Sequence, residues 1–328
     1  MDTTNERVNF FTIAKLVDVQ ECVEFCRKYN MLPGNEPKNC VNCNRESQVV
    51  VCENSRKPNF PYGLRCRCCN KRNSITTNTW FEGTKLTIQQ NIGLIHCWLH
   101  GMGIQRTSSE LDLSLKTVMD YFGFCRDVCY VICTNSSEPI GGPGKTVELD
   151  ESYITTSRFN KTSVVRNELK QIWVFGGIER QSKKYFIVRV YRRDKDALVN
   201  LMKHFILPGS WVNADVWKRY SELQNEGYIH DLAKHRIEFI TNEDSGMESL
   251  WKSMKESIKK VGRQGVCEDT YIFQYLYLHQ LKLRNYRHPC EQLPVFLQDI
   301  SKVFAGYGRT NLLPKSYTGS DLQNCIDI

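Results

Sequence analysis

No apolar run in this chain of 328 residues approaches the ~20 that a membrane-spanning helix requires. The opening Met1-Asp-Thr-Thr-Asn-Glu-Arg7 lacks the basic and apolar regions of a secretory leader. Membrane and secreted readings are therefore poor. A strong excess of one charge is missing too: a formal net charge of +8 makes a polyanion a plausible partner without requiring one. Hydrophobic content of 41% and charged content of 24% are those of an ordinary soluble protein, long enough for two or three domains.

Cysteine, by contrast, is abundant: fifteen residues, an odd count. A secreted chain would use so many in a disulfide framework, but without a leader the better account is reduced thiols and a metal site. Residues 1–36 form an N-terminal segment that is helical in part, with Phe10, Ile13, Leu16, Val19, Cys22, Val23 and Cys26 on a rough stripe. Cys22 and Cys26 lie one turn apart, and buried thiols are the better reading of them than a chelate.

Residues 37–80 carry two C-x-x-C knuckles, Cys40-Val-Asn-Cys43 and Cys66-Arg-Cys-Cys69, separated by 22 residues. Four thiolates, Cys40, Cys43, Cys66 and Cys69, complete the tetrahedral shell that one structural Zn²⁺ prefers. The stretches between them, Ser47 to Cys52 and Tyr62 to Arg65, read as strands of a zinc ribbon. Cys68 competes with Cys66 or Cys69 for the ion on spacing alone. Between positions 40 and 75 stand seven basic residues and two acidic ones, a balance suited to contact with a phosphate backbone.

Residues 81–138 read as helical. A short helix from Ile104 to Leu111, a turn at Asp112-Leu113, a cap at Ser114 and a second helix make a helix-turn-helix pattern. Cys125, Cys129 and Cys133 recur every four residues as a packed thiol seam. Pro139-Ile-Gly-Gly-Pro-Gly144 marks a linker over 139–145.

From there to 288 the pattern changes to strands. Lys145 to Tyr153 alternates, with Val147 and Leu149 on one side and Glu148 and Asp150 on the other. A hairpin around Arg180-Gln-Ser-Lys183 follows, then an amphipathic helix ending at Leu207-Pro-Gly209, a fourth strand Ser210 to Ala214, and a fifth at Arg236 to Ile240. Long helices start near Ser245 and Asp269, and residues 289–328 read as a C-terminal tail. Three antiparallel strands, a helix, two further strands and a helix is the order of an α/β RNase H-like domain, in which the first and fourth strands are neighbours.

That neighbourhood would bring Asp150 to Asp215, which follows the fourth strand directly, with Glu248 in the first turn of the closing helix. Each has an ordinary explanation: an acidic strand face, a helix cap, a first-turn acid paired with Lys252. Together they suit two Mg²⁺ (or Mn²⁺) ions about 4 Å apart, which drive phosphoryl transfer without a histidine base. On that reading Asp150 bridges both ions, Asp215 and Glu248 hold one each, and Glu148 is support.

Several blocks then carry a family resemblance. Ile140 to Ser152, Ile172-Trp-Val-Phe-Gly-Gly-Ile-Glu-Arg180, Ile206-Leu-Pro-Gly209, Asp215-Val-Trp-Lys-Arg-Tyr220, Asn225-Glu-Gly-Tyr228, His235 with Glu238-Phe239, and Met247-Glu-Ser-Leu-Trp251 occur in order. They resemble the Merlin superfamily of DDE transposases, relatives of bacterial insertion-sequence transposases with a zinc-ribbon N-terminus. Upstream, Cys66-Arg-Cys-Cys69, Ser74-Ile-Thr-Thr77 and Phe81 to Leu86 are similar to that family's entry, so the likeness covers roughly 38–288. It implies that Asp150, Asp215 and Glu248 stand at the family's catalytic acids. It further implies cut-and-paste transposition on double-stranded DNA: cleavage at terminal inverted repeats, then 3′-hydroxyl attack on target DNA by a dimer or higher oligomer. The workplace would be the nucleus in a eukaryote, or the cytoplasm and nucleoid in a bacterium. Two departures stand out: Asn242-Glu-Asp-Ser-Gly246 replaces the usual His-Thr-Gln/Asn element, and the 155–170 loop lacks the usual glycine-containing, lysine-rich form. A domesticated DNA-binding regulator is the alternative.

Overall fold

A computed structural model describes residues 6–34, 38–40, 42–51, 60, 62–135, 138–156, 170–191, 193–214, 227–229, 246–261 and 269–307. The chain divides into two compact units, Met1–Ile132 together with Tyr277–Tyr317, and Cys133–Leu276. No helix among the described residues is long and apolar enough to cross a membrane.

The first unit opens with α1 (Phe10–Ala14) and α2 (Val19–Lys28), started by the side chains of Asn9 and Asp18. Asp18 accepts the N–H groups of Gln20 and Glu21, two donors that the first turn of a helix leaves without a partner. Cys22 and Cys26 are buried, and burial drives both thiols above their ordinary value, as expected of packing residues. Strands β1 (Lys38–Asn39), β2 (Glu46–Val51), β3 (Tyr62–Cys66) and β4 (Arg72–Ser74) form an antiparallel sheet in chain order.

Helix α3 (Ile88–Leu99) begins with a capping box, Thr87 and Gln90 each accepting the other's backbone N–H. Helices α4 (Ile104–Leu111) and α5 (Leu115–Asn135) flank the expected turn. Asp112 takes a left-handed conformation (φ 50°), and the Ser114 hydroxyl accepts the Thr117 N–H at 3.1 Å, capping α5. Cys125, Cys129 and Cys133 are all buried along α5.

The second unit is built on a four-stranded mixed sheet. Its strands are β6 (Thr146–Thr156), β7 (Lys170–Glu179), β8 (Tyr185–Val190) and β10 (Trp211–Ala214), in the order β10-β6-β7-β8. Strands β6, β7 and β8 are antiparallel, and β10 runs parallel to β6, so the first and fourth long strands are neighbours. Such a parallel pair needs a crossover, and α6 (Lys195–Phe205) supplies it. Leu198, Leu201, Met202 and Phe205 of α6 join Val147, Leu149, Phe175 and Phe186 in one buried cluster, with Phe186 and Phe205 stacked at 4.7 Å. Helix α7 (Gly246–Val261) packs on β6 and β7, and α8 (Asp269–Leu283) follows it. The expected strand at Arg236–Ile240 lies outside the described residues.

Two segments differ from expectation. Residues 139–145 are not a free linker: Ile140–Gly141 (β5) pairs in parallel with Ile206–Leu207 (β9). The Gly142 N–H donates to Ser210 Oγ at 2.7 Å, and the Gly141 N–H donates to the buried Glu179 carboxylate at 2.8 Å. Gly141 has φ 89°, and a Cβ there would stand 2.2 Å from Ser210 Oγ, so this glycine is a packing requirement as well as a turn signal. Burial pushes the Glu179 carboxyl up, but the Gly141 N–H, Lys145 and Ser182 outweigh it and leave the group below its usual range.

The second correction concerns residues 289–307, read as tail. They form α9 (Pro289–Tyr307), which belongs to the first unit. Leu293, Phe296, Leu297, Ile300, Val303 and Phe304 make a buried stripe at helical spacing, and Phe296 stacks on Trp98 of α3 at 4.9 Å. Pro289 stands at the first helical position, where its missing N–H costs nothing. Gly, Pro and Ser in irregular order begin only after this stripe.

Candidate functional site

The sulfur atoms of Cys40, Cys43, Cys66 and Cys69 all lie within 4.8 Å of one another. Cys40 and Cys69 are 3.7 Å apart, Cys43 and Cys66 3.4 Å. The two knuckles have the same local design. The Cys40 N–H donates to Arg45 O and the Asn44 N–H to Cys40 O; likewise the Cys66 N–H donates to Lys71 O and the Asn70 N–H to Cys66 O. Asn44 and Asn70 turn each loop with φ 55° and 58°, a conformation asparagine tolerates.

Each loop also turns backbone N–H groups toward sulfur: Asn42 to Cys40 at 3.4 Å, Cys68 and Cys69 to Cys66 at 3.3 and 3.5 Å. Such donors favour the thiolate: the Asn42 N–H leads in lowering Cys40 to about 6, and the Cys69 N–H leads in lowering Cys66. Cys43 and Cys69 are raised instead, by their hydrogen bonds to the neighbouring thiols and by burial; four thiols so clustered, two of them disposed to ionise, fit one tetrahedral Zn²⁺. Cys68, the competitor on spacing, is exposed and outside the cluster. Among the described residues this is the only group of three or more ligands so placed.

The acidic positions of the second unit are distributed as follows. Asp150 lies on β6, opposite Gly176 of β7. Its Oδ1 accepts the Glu151 N–H at 2.8 Å, and its Oδ2 accepts the indole N–H of Trp251 on α7, also at 2.8 Å. Glu148, two residues earlier on the same sheet face, accepts the Gly246 N–H at 3.1 Å and pairs with Arg180. Gly246 starts α7, so this carboxylate sits at the positive end of the helix. Glu248 is exposed in that same first turn, one turn before Trp251. Asp215 follows Ala214, the last residue of β10, and lies outside the described residues. The register pairs Ala214 with Leu149, the residue before Asp150.

Sequence reasoning named Asp150 and Glu248 but missed what ties their elements together. Trp251 stood there only as the end of the block Met247-Glu-Ser-Leu-Trp251; in the structure it belongs to a buried stripe, Met247, Leu250, Trp251 and Met254. Its indole N–H is a second property that spacing does not reveal. The signal that points to it is the strand Trp173-Val-Phe-Gly-Gly-Ile178. A Cβ at Gly176 would stand 2.8 Å from the Trp251 ring, and one at Gly177 would stand 2.6 Å from the Phe186 ring. Adjacent glycines in a central strand mark close approach from both faces. On the α6 face, Arg193 donates to the buried Glu151 at 2.8 Å and lies over the Trp173 ring, 3.4 Å from its centroid.

Residues 141–280 match the ISXO2-like transposase domain. The transposase resemblance read from the ordered sequence blocks is met by this match. The matched stretch spans β6 through most of α8 and so encloses Asp150, Asp215 and Glu248. In a separate comparison, an alignment 156 positions long that covers 43% of the chain is 25% identical to the male abnormal protein mab-31 of Caenorhabditis elegans. It covers 36% of that relative, so the chain spans about a third of its length.

Proposed function

We propose that the protein is a DDE transposase of Merlin type, acting on double-stranded DNA through an RNase H-like catalytic domain. The observation that carries this is the tie between β6 and α7. Asp150 and Glu148 share a sheet face and hold α7 through Trp251 and Gly246, the helix that presents Glu248. The parallel pairing of β6 with β10 ends one residue short of Asp150 and Asp215. Three hard carboxylates on these elements are the donor set that Mg²⁺ or Mn²⁺ prefers, and two ions would occupy it.

Bound there, the ions would lower the pKa of an attacking water or 3′-hydroxyl and stabilise the leaving oxygen during in-line displacement. The protein's own part is orientation. Trp251 fixes the Asp150 carboxylate, and Glu148 with Arg180 fixes the start of α7 and hence Glu248. The thiolate cluster organises the basic ribbon, which with α4 and α5 would contact the phosphate backbone at the terminal repeats. Joining two DNA ends calls for at least a dimer, working in the nucleus of a eukaryote or the nucleoid of a bacterium.

The test is strand cleavage and transfer with Mg²⁺ or Mn²⁺ on DNA bearing the element's own ends. Wild type should cut and join, and Asp150→Ala should lose both while still binding DNA. Wild-type protein that binds these ends without cutting them would overturn the enzyme in favour of a domesticated DNA-binding regulator.

A further inference from the structure

One side-chain bond between the carboxylate-bearing strand and the closing helix is made by a residue that carries no charge. Trp251 is 4% exposed, and its ring rests above Gly176, directly opposite Asp150 on the neighbouring strand. An indole has one polar atom, a donor, and here it is spent on Asp150 Oδ2 at 2.8 Å. Donation to an ionised acceptor is stronger than a neutral hydrogen bond and strongly directional. A smaller apolar residue would fill the same stripe without any need for a donor, and a side chain at Gly176 would displace the ring. Large ring, single donor and vacant seat thus form one arrangement, which leaves the carboxylate little freedom to turn.

We infer that Trp251 is a positioning residue for Asp150: its indole N–H sets the orientation in which that carboxylate receives a divalent cation. The inference rests on the reading of Asp150 as a metal-holding acid. Because Glu248 lies one turn before Trp251, the same bond sets the spacing between the Asp150 strand and the Glu248 helix turn. Partners that orient metal-binding side chains commonly change metal affinity by about 10–100-fold when removed.

Two measurements on the full chain test this. In the first, ¹⁵N-tryptophan labelling of the six indoles gives a set of side-chain N–H resonances, of which Trp251→Phe identifies one. That resonance should move on Asp150→Asn in the absence of metal, and Mn²⁺ should broaden it at stoichiometric concentration in wild type. In the second, calorimetric Mn²⁺ titration of Trp251→Phe should show affinity about 10–100-fold weaker than wild type. The Mn²⁺ concentration for half-maximal strand cleavage should rise in step, with the rate at saturating metal largely kept.

A Trp251→Phe protein that keeps the wild-type melting temperature and Mn²⁺ affinity would overturn the inference. So would an indole resonance indifferent to Asp150→Asn, a result that does not depend on the Phe variant folding. Wild type that binds no Mn²⁺ at all would instead bring down the reading of the three acids, and with it the metal role given to Trp251.

Discussion

Gly176→Ala is a single methyl group placed where the site is most tightly built. Its Cβ would stand 2.8 Å from the Trp251 ring, 2.9 Å from Met247 Cε and 3.0 Å from the backbone oxygen of Phe186. The methionine tip can swing away, whereas the carbonyl belongs to β8 and is held by the sheet. The ring must therefore retreat by about 0.7 Å to reach an ordinary contact of about 3.5 Å. That movement stretches or bends the 2.8 Å bond to Asp150. Overpacking of this kind costs about 1–3 kcal/mol, against which the lower entropy of the unfolded alanine chain returns about 0.4–1 kcal/mol. A net loss of up to about 2.6 kcal/mol follows.

Gly177→Ala is the matched control: its Cβ meets the Phe186 ring at 2.6 Å and Leu149 at 2.7 Å, on the α6 face. Both variants should lose comparable stability in urea denaturation of the full chain. Only Gly176→Ala should also shift the Trp251 indole resonance and weaken Mn²⁺ binding. Equal effects of the two variants on metal binding would refute the reasoning, because the loss would then track general sheet damage and not the seat of one ring.

The thiolate cluster and a half-buried histidine give two further expectations. Metal analysis should find one Zn²⁺ per chain, lost with unfolding of the ribbon in Cys66→Ser and retained in Cys68→Ser; the reverse pattern would reassign the ligands. Burial first, and the neighbouring His100 second, lower His96 to about 4, so it stays neutral in the folded chain at neutral pH. Below about pH 6.5 the unfolded chain takes up a proton that the fold refuses, and stability falls until about pH 4. Discounted for the solvent that His96 still meets, its share of the loss should be about 2–3 kcal/mol, and His96→Gln should remove that share and leave the smaller ones of His100 and His279, as read from melting temperatures across that range.

The parts of this molecule that were legible in the sequence are those written in local spacing. The knuckles Cys40–Cys43 and Cys66–Cys69 bring their ligands in pairs, so only the pairing of pairs was left to the fold. The β6 alternation put Glu148 and Asp150 on one face before any partner was known, and Ser114 announced the start of α5. The start of α3 was equally available, because Thr87 and Gln90 spell a capping box.

Contacts between distant elements were not legible, and the bond from Trp251 to Asp150 is one of them. Nothing local distinguishes a tryptophan that fills a core from one that also donates to a carboxylate 101 residues away. What does survive in the sequence is the negative imprint of such a contact. Two adjacent glycines in a strand that otherwise favours bulky residues make sense only if something large must come close on each side. Gly176 and Gly177 record Trp251 and Phe186 in that way. The same holds for Gly141, which looked like the mark of a linker and proved to be the mark of Ser210 packed against the backbone. Glycine in this chain is therefore as informative about neighbours as about turns, and the acid opposite such a glycine is where an orienting partner should be sought.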